Sequence, residues 1–195
     1  METLIHYIEI FAFVTGIAYI LLEIGQKKFM WVIGIATGIA CSFSFAVQHL
    51  YASAGLNFYY VLVSFWGLYQ WRKDEKKLDG NSSSDIHLNR LGTGTAIISA
   101  VVFVLGSAAL IALLRKIGGS ETEMDAVTAV MSAIATWWLA KSYAQQWLIW
   151  IAADLFSTVL CFSAGMNWMG LLYIFYTGSA IYGYVHWKRK GETVG

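Results

Sequence analysis

Residues 95–114 read TAIISAVVFVLGSAALIALL, twenty residues without a single charge. As a helix this run is about 30 Å long, the thickness of a bilayer's hydrocarbon core. It is apolar on every side, whereas a surface helix of a water-soluble protein keeps a polar face. The rest of the chain follows suit: 58% of its residues are hydrophobic and 13% charged, against about one quarter charged in a soluble domain. Further apolar stretches bring the expected spans to seven, at 4–24, 29–50, 55–71, 95–114, 124–141, 146–164 and 168–187. The expected fold is an all-α polytopic membrane protein. A transmembrane β-barrel is excluded because its strands alternate polar and apolar residues, and these runs do not.

Seven spans put the termini on opposite sides of the membrane. The loops at 25–28, 72–94 and 141–145 then share a side with the C-terminal tail, and that side carries eleven of the 13 basic residues. Only Arg115 and Lys116 fall on the other. Basic loops stay in the cytoplasm, so the N-terminus is expected outside and the C-terminus inside. The polar stretch 72–94 contains Ser and Gly and reads as an exposed, mobile loop. Trp66, Tyr69, Trp71, Tyr184 and Trp187 lie near the cytoplasmic helix ends and read as an interfacial aromatic belt.

A shift of 116 residues aligns the first three spans with the last three without a gap. Trp31 falls on Trp147, Ile33 on Ile149, Tyr60 on Tyr176, Gly67 on Gly183 and Trp71 on Trp187. The expected layout is therefore 3+1+3. A first three-helix bundle (1–73) is followed by a cytoplasmic loop and linker helix (74–123, with the helix at 95–114), then a second bundle and cytoplasmic tail (124–195). Both triplets run the same way, as parallel repeats, and transporters built so hold their substrate near the midplane between the repeats. The bland linker is expected to face lipid.

The candidate site starts at QQWLIWIAADLFS, residues 145–157. Trp147, Trp150 and Asp154 share one helical face within about 60°. A carboxylate in mid-span costs roughly 2.5–3.5 kcal/mol on insertion scales, so it faces the bundle interior or a cavity. The alternative is a structural carboxylate hydrogen-bonded to a neighbouring helix. At the shift of 116 the counterparts of Trp150 and Asp154 are Gly34 and Gly38, whose spacing also suits close helix packing. Asn57, Tyr60 and Ser64 share a face of the third span, and Tyr173 and Tyr176 occupy the matching part of the seventh. With Trp31 these complete the candidate set. Aromatic rings above an acid suit a flat cationic ligand, through cation–π attraction and a counter-charge.

Other classes find little footing. The four His are scattered without metal-ligand spacing, and no phosphate-binding loop or nucleophile elbow occurs. No metal, cofactor or catalytic machinery is expected. No basic run interleaved with aromatics points to nucleic acid. The partners expected are the lipid bilayer and a small ligand, with association into a homo-oligomer left open.

Several motifs resemble the Pnu family of vitamin transporters over nearly the whole chain. They are Glu9, Gly16 and Leu22-Glu23 in the first span, LYAS at 50–53, NFYY through GLYQW at 57–71, and Tyr143 followed by WLIW at 147–150. The resemblance implies a 3+1+3 helix fold in the bacterial inner membrane. It implies facilitated uptake of nicotinamide riboside (the PnuC branch), thiamine (PnuT) or riboflavin by uniport without ATP, followed by trapping through a cytosolic kinase. It implies that Trp147 and Trp150 bound a ring pocket and that Asn57 stands where an amide bonds the ligand. Asp154 stands where some members have Asn, so the resemblance leaves open whether the group is neutral and which ligand it favours; nicotinamide riboside and thiamine both carry a cationic ring, and charge does not separate them. The sugar-carrying SWEET proteins share the layout but hinge on helix prolines, and this chain has none. Bending would fall at Gly16, Gly34, Gly38 or Gly178. Two other readings stay open: the substrate-binding subunit of a larger transporter, and an intramembrane enzyme using Asp154, for which no second catalytic group is evident.

Overall fold

The computed structural model describes residues 2–77, 86–117, 123–163 and 167–194. They form seven helices: α1 (Glu2–Ile24), α2 (Phe29–Val47), α3 (Tyr51–Lys77), α4 (Thr93–Ile117), α5 (Glu123–Ala140), α6 (Gln146–Ser163) and α7 (Asn167–Lys190). Three segments, Phe29–Val47, Thr93–Lys116 and Gln146–Ser163, are by themselves long and apolar enough to cross a membrane. The outer faces are rich in exposed apolar side chains, such as Ile97, Val104 and Leu105 on α4 and Phe58, Leu62 and Phe65 on α3. The protein is a multi-pass helical membrane protein.

Six helices close a ring in the order α1, α2, α3, α5, α6, α7 and back to α1. The seventh, α4, lies outside it against α5, with a slighter contact to α3. Tyr59 of α3 donates to the Ala133 carbonyl of α5 (2.9 Å), and the Trp138 indole of α5 donates to Ser99 of α4 (3.0 Å).

The α1–α2 and α5–α6 connections are built alike. Gln26 and Ser142 both take the left-handed backbone conformation, at φ 48° and 57°. In the first, Gln26 N–H bonds Glu23 O (2.9 Å) and Lys27 N–H bonds Leu22 O (2.8 Å); in the second, Ser142 N–H bonds Leu139 O (2.9 Å) and Tyr143 N–H bonds Trp138 O (3.0 Å). Every one of these residues maps on its counterpart at 116. The helix that follows opens on a buried tryptophan laid against a glycine. A Cβ on Gly67 would sit 2.6 Å from the Trp31 ring, and one on Gly183 would sit 2.6 Å from the Trp147 ring.

Two expectations are corrected. Trp71 and Trp187 are no interfacial belt, for both are fully buried. They meet Trp31 and Trp147 edge to face, at 5.1 Å and 5.6 Å between ring centroids, and each other at 6.4 Å. Their N–H groups are satisfied inside the protein: Trp71 donates to Leu139 O of α5 (3.2 Å) and Trp187 to Ile24 O of α1 (3.0 Å). Tyr69 alone of the five is largely exposed (63%). Second, 72–94 is not one exposed loop. Helix α3 runs on to Lys77, and residues 86–89 form a strap whose Ile86 and His87 are buried and whose Leu88 and Asn89 are half-buried. Its strand β1 (His87–Leu88) pairs in parallel with β2 (Glu192–Thr193), the segment after α7. Residues 78–85 of that stretch lie outside the described residues.

Candidate ligand-binding site

Two adjoining cavities occupy the ring. The larger, about 390 Å³, is walled by α6 and α7 and bounded by α1, α3 and α5. Helix α6 contributes Trp147, Trp150, Asp154 and Ser157, while α7 contributes Tyr173 and Tyr176. The smaller, about 210 Å³, lies among α1, α2 and α3 and holds Gly34, Thr37, Gly38, Asn57 and Ser64. Gly16, Tyr19, Tyr60 and Trp150 line both, so the two meet at these residues.

The lining residues correspond at the shift of 116. Gly34, Thr37, Gly38, Asn57, Tyr60 and Ser64 of the smaller cavity map on Trp150, Ala153, Asp154, Tyr173, Tyr176 and Ala180 of the larger. The glycines serve packing. A Cβ on Gly38 would come within 2.8 Å of Val61 and one on Gly34 within 3.0 Å of Ser64. With its glycines, α2 approaches α3 closely, and the space it encloses is the smaller. Helix α6 instead carries a bulky ring and an acid into the larger.

Of the residues expected from sequence, Trp147, Trp150, Asp154, Tyr60, Tyr173 and Tyr176 line the larger cavity, and Asn57 and Ser64 the smaller. Trp31 lines neither. It is fully buried between Gly67 and Trp71, a packing element rather than a wall. Asn57 Nδ2 donates to Ser53 O (2.9 Å), which accounts for one donor of its amide. Tyr173 and Tyr176 stand edge to face at 6.1 Å. The indole N–H groups of Trp147 and Trp150 are both buried and have no partner among the described residues.

Sequence reasoning passed over Glu23 as a site residue. It is 4% exposed, lines the larger cavity with Asp154, and accepts from Gln146 Nε2 (3.1 Å), itself fully buried. The cavity thus carries two carboxyl groups, and no Lys, Arg or His is among its lining residues. Such a wall favours a cation and rings that stack on indole.

The family model for the nicotinamide mononucleotide transporter matches residues 6–189. The chain belongs to this family. Similar curated proteins include the nicotinamide riboside transporters PnuC of Neisseria mucosa and of Haemophilus influenzae. The first is 26% identical over 91% of this chain and 70% of its own length, the second 27% identical over 74% and 66%. The riboflavin/roseoflavin transporter RibM of Streptomyces davaonensis is 26% identical over 92% of this chain and 83% of its own. The fold matches the crystal structure of the vitamin B3 transporter PnuC with a TM-score of 0.71. That match covers 94% of this chain and 81% of the other at 22% identity. The resemblance drawn from the motifs is thus a family relation, and the relatives are transporters.

Proposed function

We propose that the chain is a facilitator for a vitamin or vitamin precursor with a cationic aromatic ring, nicotinamide riboside or thiamine. The observation that carries this reading is the cavity of a family of transporters, walled by Trp147 and Trp150 and bearing Asp154 and Glu23. The ring stacks on Trp150, beside the buried Trp147, and the two acids offset its charge. The polar remainder extends past Tyr60 toward Asn57 and Ser64. Riboflavin, carried by one relative, is neutral and fits two acids less well.

The layout proposed is the parallel 3+1+3 repeat. It is supported by the matching connections, the Trp–Gly pairs and the paired cavity linings, and by α4 lying outside the ring. The N-terminus is placed outside and the C-terminus in the cytoplasm, on the distribution of basic loops. Transport then proceeds by alternating access: the triplets α1–α3 and α5–α7 rock about the shared cavity without ATP, and a cytosolic kinase retains the product. Protein reconstituted in liposomes should equilibrate labelled nicotinamide riboside or thiamine with no ion gradient. Uptake that strictly requires a proton or sodium gradient would overturn uniport, and uptake of neither compound would overturn the ligand class.

A further inference from the structure

The strap at residues 86–89 touches both triplets. On the α5–α7 side its bonds include backbone ones. Glu192 N–H donates to Ile86 O and Val194 N–H to Leu88 O, both at 2.8 Å, and Asn89 N–H donates to Ser142 O (3.1 Å). Asn89 Nδ2 adds Lys141 O (2.9 Å). On the α1–α3 side its bonds run through side chains. Gln26 holds the His87 backbone from both ends, Nε2 donating to His87 O (2.9 Å) and Oε1 accepting from His87 N–H (2.7 Å). Asn89 Nδ2 also reaches Asp74 Oδ2 (3.0 Å), and Asp74 is 1% exposed.

A chain of rings joins the cavity to the strap. Trp147 lines the cavity and meets Trp187 at 5.6 Å, Trp187 meets Trp71 at 6.4 Å, and Trp71 meets the His87 ring at 5.6 Å. All three tryptophans are buried. If the triplets part at this end, the indole layer must open, and residues 86–89 bridge the line along which it opens.

We propose that this strap is a latch on the cytoplasmic end of the pathway, and that Gln26 and Asp74 are where it releases. The inference rests on the transport reading above. Backbone pairing keeps the strap on the α5–α7 side, while rotation of the Gln26 and Asn89 side chains frees it from α1–α3. The left-handed Gln26 presents its amide to the strap, and its counterpart Ser142, at the same backbone position, offers only its carbonyl to the same strap. The α1–α3 side therefore grips through the Gln26 and Asn89 side chains, while the α5–α7 side grips through backbone bonds as well as through Asn89.

The test uses full-length protein in liposomes with Cys41→Ser and Cys161→Ser and the cavity reporter Ala180→Cys. A membrane-impermeant maleimide is supplied to the cytoplasmic face without any ligand. Gln26→Asn keeps a residue that tolerates the left-handed conformation but lacks the reach for both bonds. Labelling should rise about tenfold, the shift expected from losing two hydrogen bonds of ordinary net strength. A chain ended after Gly191, which removes the pairing strand, should also label faster. Unchanged labelling in Gln26→Asn, with native elution and tryptophan emission, makes the strap a static brace and overturns the latch. A rise in the shortened chain alone overturns the release point. Because labelling needs no substrate, failed vitamin uptake by the wild type would refute the transport reading and leave this result standing.

Discussion

Trp150 and Glu23 show what a single residue discloses in sequence and what it withholds. An aromatic and an acid on one face of an apolar run announce themselves, because a carboxylate at mid-membrane is too costly to sit there idly. Glu23 gives no such signal. It stands at the end of α1 beside the polar GQKK segment, where a charged residue would ordinarily meet water. Its partner inside the bundle is Gln146, 123 residues away. Trp31 misleads in the opposite direction, since it aligns with Trp147 yet only fills the gap over Gly67. Both rings pack alike on their glycines; the difference lies in the helix, which carries Gly34 in one case and Trp150 in the other. We expect Trp150→Ala to weaken vitamin binding roughly tenfold through loss of ring stacking and cation–π attraction. Expression and elution should remain native, because Trp150 borders open cavity on two sides. Calorimetric titration of the purified variant checks this, and unchanged affinity would remove Trp150 from the site.

Among the elements, helix positions were legible because their apolar runs are long and bounded. Their ends were less so, since α3 and α7 continue beyond the apolar part as charged turns ending at Lys77 and Lys190. Close contacts between elements left only a faint trace: Gly67 and Gly183 coincide in the repeat, but nothing local says that an indole lies on each. An added methyl there should cost about 1–3 kcal/mol through overpacking. Gly67→Ala and Gly183→Ala should each lower the apparent melting temperature in detergent. Gly178→Ala, where a Cβ meets nothing within 4 Å, should be neutral or slightly stabilising. The strap was wholly illegible, being a few residues whose burial depends on partners at 26, 74, 142 and 192–194. It brings a pH dependence of its own. His87 is 5% exposed, and burial holds its imidazole below the usual range; Asp74 and Glu75 of α3 partly offset this, while Lys28, paired with Glu75, adds to it. The attached strap therefore disfavours the protonated ring. Its stability is complete above about pH 6.5, where a free histidine is already neutral, and falls as pH drops through that value, because the detached state takes up the proton first. Between pH 7.5 and 5.5 the wild type should lose more thermal stability than His87→Gln, and equal losses would show that His87 plays no part.

For the whole molecule, the deciding contacts are those joining α1–α3 to α5–α7. Two of them are reciprocal. Trp71, toward the C-terminal end of α3, donates to the last turn of α5, and Trp187, toward that of α7, donates to the last turn of α1. Each indole closes the ring on one side, and the two touch in the middle at 6.4 Å. The rocking proposed above would need a joint of this kind, strong enough to hold one end closed and local enough to part. Trp71→Phe and Trp187→Phe keep an aromatic ring and remove the donor, so each should cost about 1–3 kcal/mol, from the lost bond and the space the smaller ring leaves. The two costs should be similar, because the donors are counterparts at 116 and each acceptor is a carbonyl in the last turn of the helix it joins, one position apart in that register. They should not simply add in the double variant, because contacting residues share their loss. Apparent melting temperatures of the two singles and the double, read in one detergent, decide the matter. Closely matched single effects with a double smaller than their sum fit a joint shared by both triplets. A large effect from one and none from the other would mean that a single seam holds the closed end, and that the pairing of the halves is architectural only.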